Sequence, residues 1–91
     1  MQFEWDDDKA ELNFADHGVS FEEAQTCFYD PEQVAFYDPE HSEEEDRELL
    51  IGHSNQGRLL IVSYTVREPL IRLISARKTT RREAKTYAQG I

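Results

Sequence analysis

The stretch "RELLIGHSNQGRLLIVSYTVREPLIRLISARKTTRRE", residues 47–83, decides the fold. Three apolar runs rich in β-branched residues, "ELLIGHS", "RLLIVSYTVR" and "LIRLISA", are separated by "NQG" and "EP". Runs of this length bounded by turn residues predict strands, and connections this short predict antiparallel pairing. In the second run Leu60, Val62, Tyr64 and Val66 share one face, and Leu59, Ile61, Ser63 and Thr65 share the other. Its first half is apolar on both faces, which predicts a central strand covered from both sides. In the third run Arg72 and Ile74 face one way while Ile71, Leu73 and Ser75 face the other. Thr80 followed by Glu83 fits a capping box, which opens a helix over Arg81–Gln89 that Gly90 closes.

Working outward, "FEW" at 3–5 predicts a short strand. "DDDKAELNFADHG" predicts a helix capped by Asp6 or Asp7, with Ala10 and Phe14 four apart and so on one face, and Gly18 as its stop. Ser20 and Glu23 predict a capping box for a second helix, whose inward residues are Phe21, Ala24 and Phe28. A short strand over Gln33–Phe36 precedes an acidic loop, His41–Asp46, expected as a solvated connection. Its consecutive acids lack the spacing and glycine of a calcium loop. The order β-α-α-β-β-β-β-α predicts one α+β domain over 1–91, with an antiparallel sheet of about four strands, two N-terminal helices and one C-terminal helix.

The charge is unevenly placed. The chain carries −9 overall, but residues 1–57 hold two basic and seventeen acidic side chains, whereas 58–91 hold eight basic and two acidic. Ile71–Tyr87 alone carries Arg72, Arg77, Lys78, Arg81, Arg82 and Lys85 against Glu83. Such asymmetry predicts a charged partner for at least one half. The plainer reading is a solvated basic helix paired with the acidic half of the same chain. No apolar stretch approaches the roughly 18 residues of a membrane span, and the acidic start has no signal-peptide core, so no membrane and a cytoplasmic location are expected. Cys27 stands alone, which removes an intrachain disulfide and a CxxC metal site, and it is expected as a buried small hydrophobe. No metal site and no cofactor are expected.

RNA cleavage without a metal needs a base for the 2′-hydroxyl, cations for the phosphorane and an acid for the leaving oxygen. His17, His41 and His53 are available, but no two of them form a recognisable pair. No P-loop, nucleophile elbow or HExxH is present. Arg77 follows "LIRLISA" and precedes the Thr80 cap, so its backbone is expected to be pinned while its head stands free for phosphate.

"FEWD", Lys9, Asn13, "HGVSFEEA", "DP", "IG", "GRLL", "YT", Arg67, "IRLISARKTTRRE" and Tyr87 occur in this order over nearly the whole chain. In these segments the sequence resembles the BrnT family of bacterial toxins. It departs from the family pattern at Asp16, where a lysine usually precedes the histidine, and in its long acidic loop. The resemblance implies a RelE-like fold and a ribonuclease that arrests growth. It further implies neutralisation by a small BrnA-like ribbon-helix-helix antitoxin, through which alone operator DNA is contacted, in an expected heterotetramer. On matching positions it implies Arg67, Arg77 and Arg81 as phosphate or transition-state cations, and Tyr87 as a base-holding or proton-transfer residue. Asp46 is implied as a general base, with Arg47, Lys78, Arg82 and Lys85 binding RNA. The alternative class is a RelE-like binding module that acts through protein or nucleic-acid contacts without catalysis.

Overall fold

The computed structural model describes residues 1–41 and 45–90. Its elements run β1 (Gln2–Glu4), α1 (Asp7–His17), α2 (Phe21–Thr26), β2 (Val34–Tyr37), β3 (Glu48–His53), β4 (Leu59–Arg67), β5 (Leu70–Lys78) and α3 (Arg81–Gln89), with a 3-10 turn, Cys27–Tyr29, directly after α2 and another, Pro39–His41, after β2. The five strands form one sheet in the order β1-β5-β4-β3-β2, so β4 is central, as its doubly apolar pattern requires. The sheet is larger than the four antiparallel strands expected, because β1 joins the β5 edge in parallel. Residues 42–44 of the acidic loop lie outside the described residues.

Helices cover both faces. On one side α1, α2 and the 3-10 turn bury Val19, Phe21, Ala24, Cys27 and Phe28 against Leu50, Leu60, Val62, Tyr64, Leu73 and Ala76. Phe28 anchors this layer by edge-to-face contacts with Phe3 and Tyr64 at 5.1 and 4.9 Å. On the other side α3 lays Tyr87 over Val34, Ile51 and Ile61. Cys27 is fully buried and its thiol is pushed up to about 12, chiefly by burial and then by Glu23 and Asp30, so it stays a protonated hydrophobe. Gly52 is required by close approach: a Cβ there would meet the Cys27 carbonyl oxygen at 2.9 Å.

One irregularity sets the faces of β5. Val62 pairs with Ala76 and Ser63 with Ser75, but Tyr64 pairs with Leu73, so β5 has one residue more than β4 at this point. The bulge reverses the alternation. Ser75, expected beside Ile71 and Leu73, instead shares a cleft with Ile74 and Arg77, while Ala76 enters the core with Leu73.

Both N-terminal helices differ from their sequence pattern. Phe14 is 59% exposed, and the buried residue of α1 is Asn13. Its side-chain amide donates to the Ala76 and Val19 carbonyls, both at 2.9 Å, and its oxygen accepts from the Ala76 N–H at 3.0 Å. The short β1 pairs only with Leu70–Arg72, so Asn13 supplies a rung of the sheet edge beyond it. Ser20 does accept from the Glu23 N–H, but the Glu23 carboxylate turns instead to Ser54, at 2.6 Å, and to Arg58. Arg58 also donates to the Gly18 carbonyl at 3.1 Å, tying the β3–β4 turn to both N-terminal helices. By contrast, the capping box of Thr80 and Glu83 is complete.

Asn13→Leu keeps the volume but orphans both backbone groups of Ala76, and is expected to cost about 2–4 kcal/mol. Urea unfolding monitored by tryptophan fluorescence measures this. A change below about 0.5 kcal/mol, the scale of an ordinary surface substitution, would show that the rung contributes nothing.

Candidate functional site

The β5 bulge and the start of α3 together form an open cleft of about 510 Å³. Its floor is Leu49, Ile61, Ser63, Ile74 and Ser75; Arg47 and Arg77 enter it with Asp38, Glu40 and Glu83. Two arginines on an apolar floor can attract an anion, since low-dielectric walls strengthen their field.

The Arg77 head does not stand free as expected. Nη1 and Nη2 donate to the two Glu83 carboxylate oxygens at 2.8 and 2.9 Å, and Nη1 also reaches the Lys78 carbonyl at 3.1 Å. Glu83 Oε1 further accepts from the Thr80 N–H at 2.9 Å, so the cap of α3 and the orientation of Arg77 are one structure. These hydrogen bonds hold Glu83 below the usual carboxylate value and Arg77 above the usual guanidinium value, against the opposing effect of burial. A guanidinium has five N–H donors. Among the described residues, the Nε–H and the second Nη2–H of Arg77 make no hydrogen bond, which leaves one bidentate edge available to an oxyanion.

Of the other candidate catalytic and RNA-binding residues named from the sequence, only Arg47 joins Arg77 in the cleft. Arg81, Arg82 and Lys85 are exposed on the first turns of α3, around a separate shallow depression with Ala84. With Lys78 at the exposed end of β5, they make no salt bridge among the described residues. The acidic half of the chain instead takes Arg58 through Glu23, Arg67 through Glu45 at 2.9 Å, and Arg72 through Glu4 at 3.6 Å. Arg67 closes the far end of β4 opposite Leu70, and neither it nor Asp46 lines the cleft. The Asp46 carboxylate faces the Tyr37 hydroxyl at 3.4 Å, and its backbone carbonyl accepts from Thr65.

Tyr87 belongs to a second constellation that was not legible in the sequence. Its hydroxyl donates to Asp30 Oδ2 at 2.7 Å and lies 3.0 Å from His53 Nδ1. Burial raises the Asp30 pKa, but the His53 backbone N–H at 2.7 Å and the Tyr87 hydroxyl outweigh it and leave Asp30 below its ordinary value. The Tyr87 hydroxyl is pushed up to about 12 by desolvation and then by Asp30. Since its only proton goes to Asp30, its oxygen is left to accept from the Nδ1 of His53. The three residues come from chain positions 30, 53 and 87, and no local spacing connects them. His17 is exposed in the last turn of α1, and no group of three possible metal-binding side chains occurs among the described residues.

The sequence was also compared with known proteins. A family model described as "Ribonuclease toxin, BrnT, of type II toxin-antitoxin system" matches residues 5–83. Comparison with curated proteins returns no match. Among solved structures, the 1.1 Å crystal structure of the Brucella abortus ribonuclease toxin BrnT is similar, with a TM-score of 0.64 and 25% identity over 89% of this chain and 99% of that one. No helix among the described residues is long and apolar enough to cross a membrane.

Glu23, Asp30 and Glu83 are all held below their ordinary values. Each depressed carboxylate stabilises the fold above its unfolded pKa, and that contribution is lost as pH falls through the folded value. The thermal midpoint should therefore drop steeply on acidification from about pH 6 to about pH 3. Glu23→Gln should lower the midpoint near neutrality and flatten this slope. An unchanged slope would mean that Glu23 is not a principal source of acid lability.

Proposed function

Because the chain belongs to the BrnT family of ribonuclease toxins from type II toxin-antitoxin systems, we propose that it is a metal-independent endoribonuclease. The observation that carries this reading is the pre-set Arg77. Glu83 fixes the guanidinium against the α3 cap, one bidentate edge stays open, and Arg77 lines a cleft that also contains Arg47. The exposed Lys78, Arg81, Arg82 and Lys85 would track the RNA backbone towards that cleft.

In the reaction we envisage, the 2′-oxygen attacks the adjacent phosphorus, the bond to the 5′-oxygen breaks, and a cyclic phosphate is left behind. Charge builds on the non-bridging oxygens at the phosphorane, where Arg77 and Arg47 act. Of the three carboxylates lining the cleft, Glu83 is committed to Arg77 and Asp38 is buried. The exposed Glu40 is thus the carboxylate placed to take the 2′-hydroxyl proton, and solvent protonates the leaving oxygen. The Asp46 role implied by the resemblance finds less support, because its carboxylate lies outside this cleft. The chain would act in the cytoplasm.

Type II membership implies a protein antitoxin. We propose a BrnA-like ribbon-helix-helix protein that covers the α3 surface and keeps operator DNA to itself, within a heterotetramer. Hydrogen exchange in the complex should then slow over Arg77–Lys85. Slowing restricted to α1 and α2 would place the inhibitor elsewhere and make it act at a distance.

Purified protein should cut single-stranded RNA in excess EDTA. Cleavage that appears only on addition of a divalent ion would rule out the metal-free reaction. Arg77→Ala should lower the cleavage rate by about 10²–10³, the usual cost of losing one preorganised donor. Arg77→Lys should recover little, because an ammonium cannot hold Glu83 and a phosphate on two edges of one plane. Unaltered cleavage by Arg77→Ala, at an unaltered thermal midpoint, would remove Arg77 from the site, whereas wild-type protein that binds RNA without cutting it would favour a binding module over an enzyme.

A further inference from the structure

Two hydroxyls in the cleft have no structural role that the fold requires. Ser63 and Ser75 are direct cross-strand partners at the bulge, and both line the cleft with Arg77. Ser63 is only 9% exposed, yet neither hydroxyl makes a hydrogen bond among the described residues. Ser75 is exposed to the cleft, so the two hydroxyls stand side by side on its floor with their donors open to an external partner.

We propose that Ser63 and Ser75 bind the two non-bridging oxygens of the scissile phosphodiester, with the open edge of Arg77 as the third contact; this rests on the ribonuclease reading above. Cross-strand partners hold their Cβ atoms about 4.5–5.5 Å apart. Two rotatable hydroxyls at that separation converge on a tetrahedral group. They can donate to oxygen acceptors from a floor that is otherwise aliphatic. A flat nucleobase would instead need a stacking face, and Leu49, Ile61 and Ile74 offer only aliphatic contact. Hydroxyl donors gain most when charge accumulates on the non-bridging oxygens, so they favour the phosphorane over the ground state. The bulge makes this arrangement available, because a regular β5 would turn Ser75 and Arg77 to the face of Leu73.

The test is single-turnover cleavage of an RNA whose scissile phosphate carries one sulfur, as separate diastereomers, by wild type, Ser63→Ala, Ser75→Ala and Ser75→Thr. Wild type should discriminate between the diastereomers by about tenfold or more, since sulfur is a poor acceptor at a fitted oxygen site. Each alanine variant should lose about 10²-fold in kcat at nearly constant KM. Each should also lose discrimination at one oxygen, the two variants at opposite ones, and Ser75→Thr should retain both rate and discrimination. Alanine variants that cut at the wild-type rate with the wild-type diastereomer ratio would overturn the serine assignment and leave the ribonuclease reading intact. A rate loss accompanied by a lower thermal midpoint and an unchanged ratio would make the serines structural, which also overturns it. Wild type that leaves the unmodified RNA uncut would remove the ribonuclease reading itself, and this inference with it.

Discussion

A single extra residue in β5 governs what each side of the sheet can do. Strand side chains alternate, so Ile71, Leu73, Ser75 and Arg77 would share one face of a regular strand. That face is the main core, filled by Phe28, Tyr64 and Leu73. A guanidinium there would need a buried partner or would unfold the layer. The bulge opposite Ser63 and Tyr64 lets Leu73 and Ala76 both enter the core, three positions apart, and sends Arg77 to the α3 side. There Glu83 meets it within hydrogen-bonding distance, and because Glu83 also caps α3, the helix start and the strand end are locked in one geometry. Removing the bulge would exchange the faces of Ser75, Ala76 and Arg77 between core and cleft.

Extra length in β5 also needs support at its outer edge, where β1 stops at the partner of Arg72. Asn13 provides it by presenting a side-chain amide to the backbone amide of Ala76, next to the bulge. This explains an otherwise odd helix. α1 has almost no apolar face towards the sheet, and Leu12 and Phe14 are 63% and 59% exposed, because its docking is carried by a polar contact and by Ala10. The Glu23–Arg58 pair does comparable work at the other end, linking α2 to the β3–β4 turn.

The strands were legible because their signal is local: "LLIV" and "LIRLI" read directly as runs in a covered sheet, and the Thr80 and Glu83 cap is written four residues wide. The bulge was not legible, since "IRLISARK" alternates acceptably with or without it; only the pairing with "IVSYTVR" forces the shift. Phe14 gave no guide to the core face, which an aromatic at helical spacing usually marks, because here a buried amide took that place. Of the site, Arg77 and Arg47 could be picked out as cations, but their meeting depends on β3 and β5 flanking β4. The Asp30–Tyr87–His53 cluster joins three distant segments, and its only hint was an aspartate beside a proline, the common dress of a helix end. The Glu23 box was half right for a physical reason: a carboxylate offered a guanidinium will take it over a backbone amide.

The division of the chain into an acidic and a basic half now has a structural account. Three cations of the basic half, Arg58, Arg67 and Arg72, are used to hold the acidic half, and each lies at a junction between segments. Those pairs leave Lys78, Arg81, Arg82 and Lys85 as a cluster in an otherwise negative molecule. A polyanion approaching a chain of net charge −9 is repelled from most directions, and the repulsion weakens where these four stand. The surplus acid therefore does not argue against a nucleic-acid partner. It narrows the approach to α3, beside the cleft that the bulge has turned towards it, so that the same charge asymmetry that lowers affinity overall raises the fraction of encounters that arrive correctly oriented.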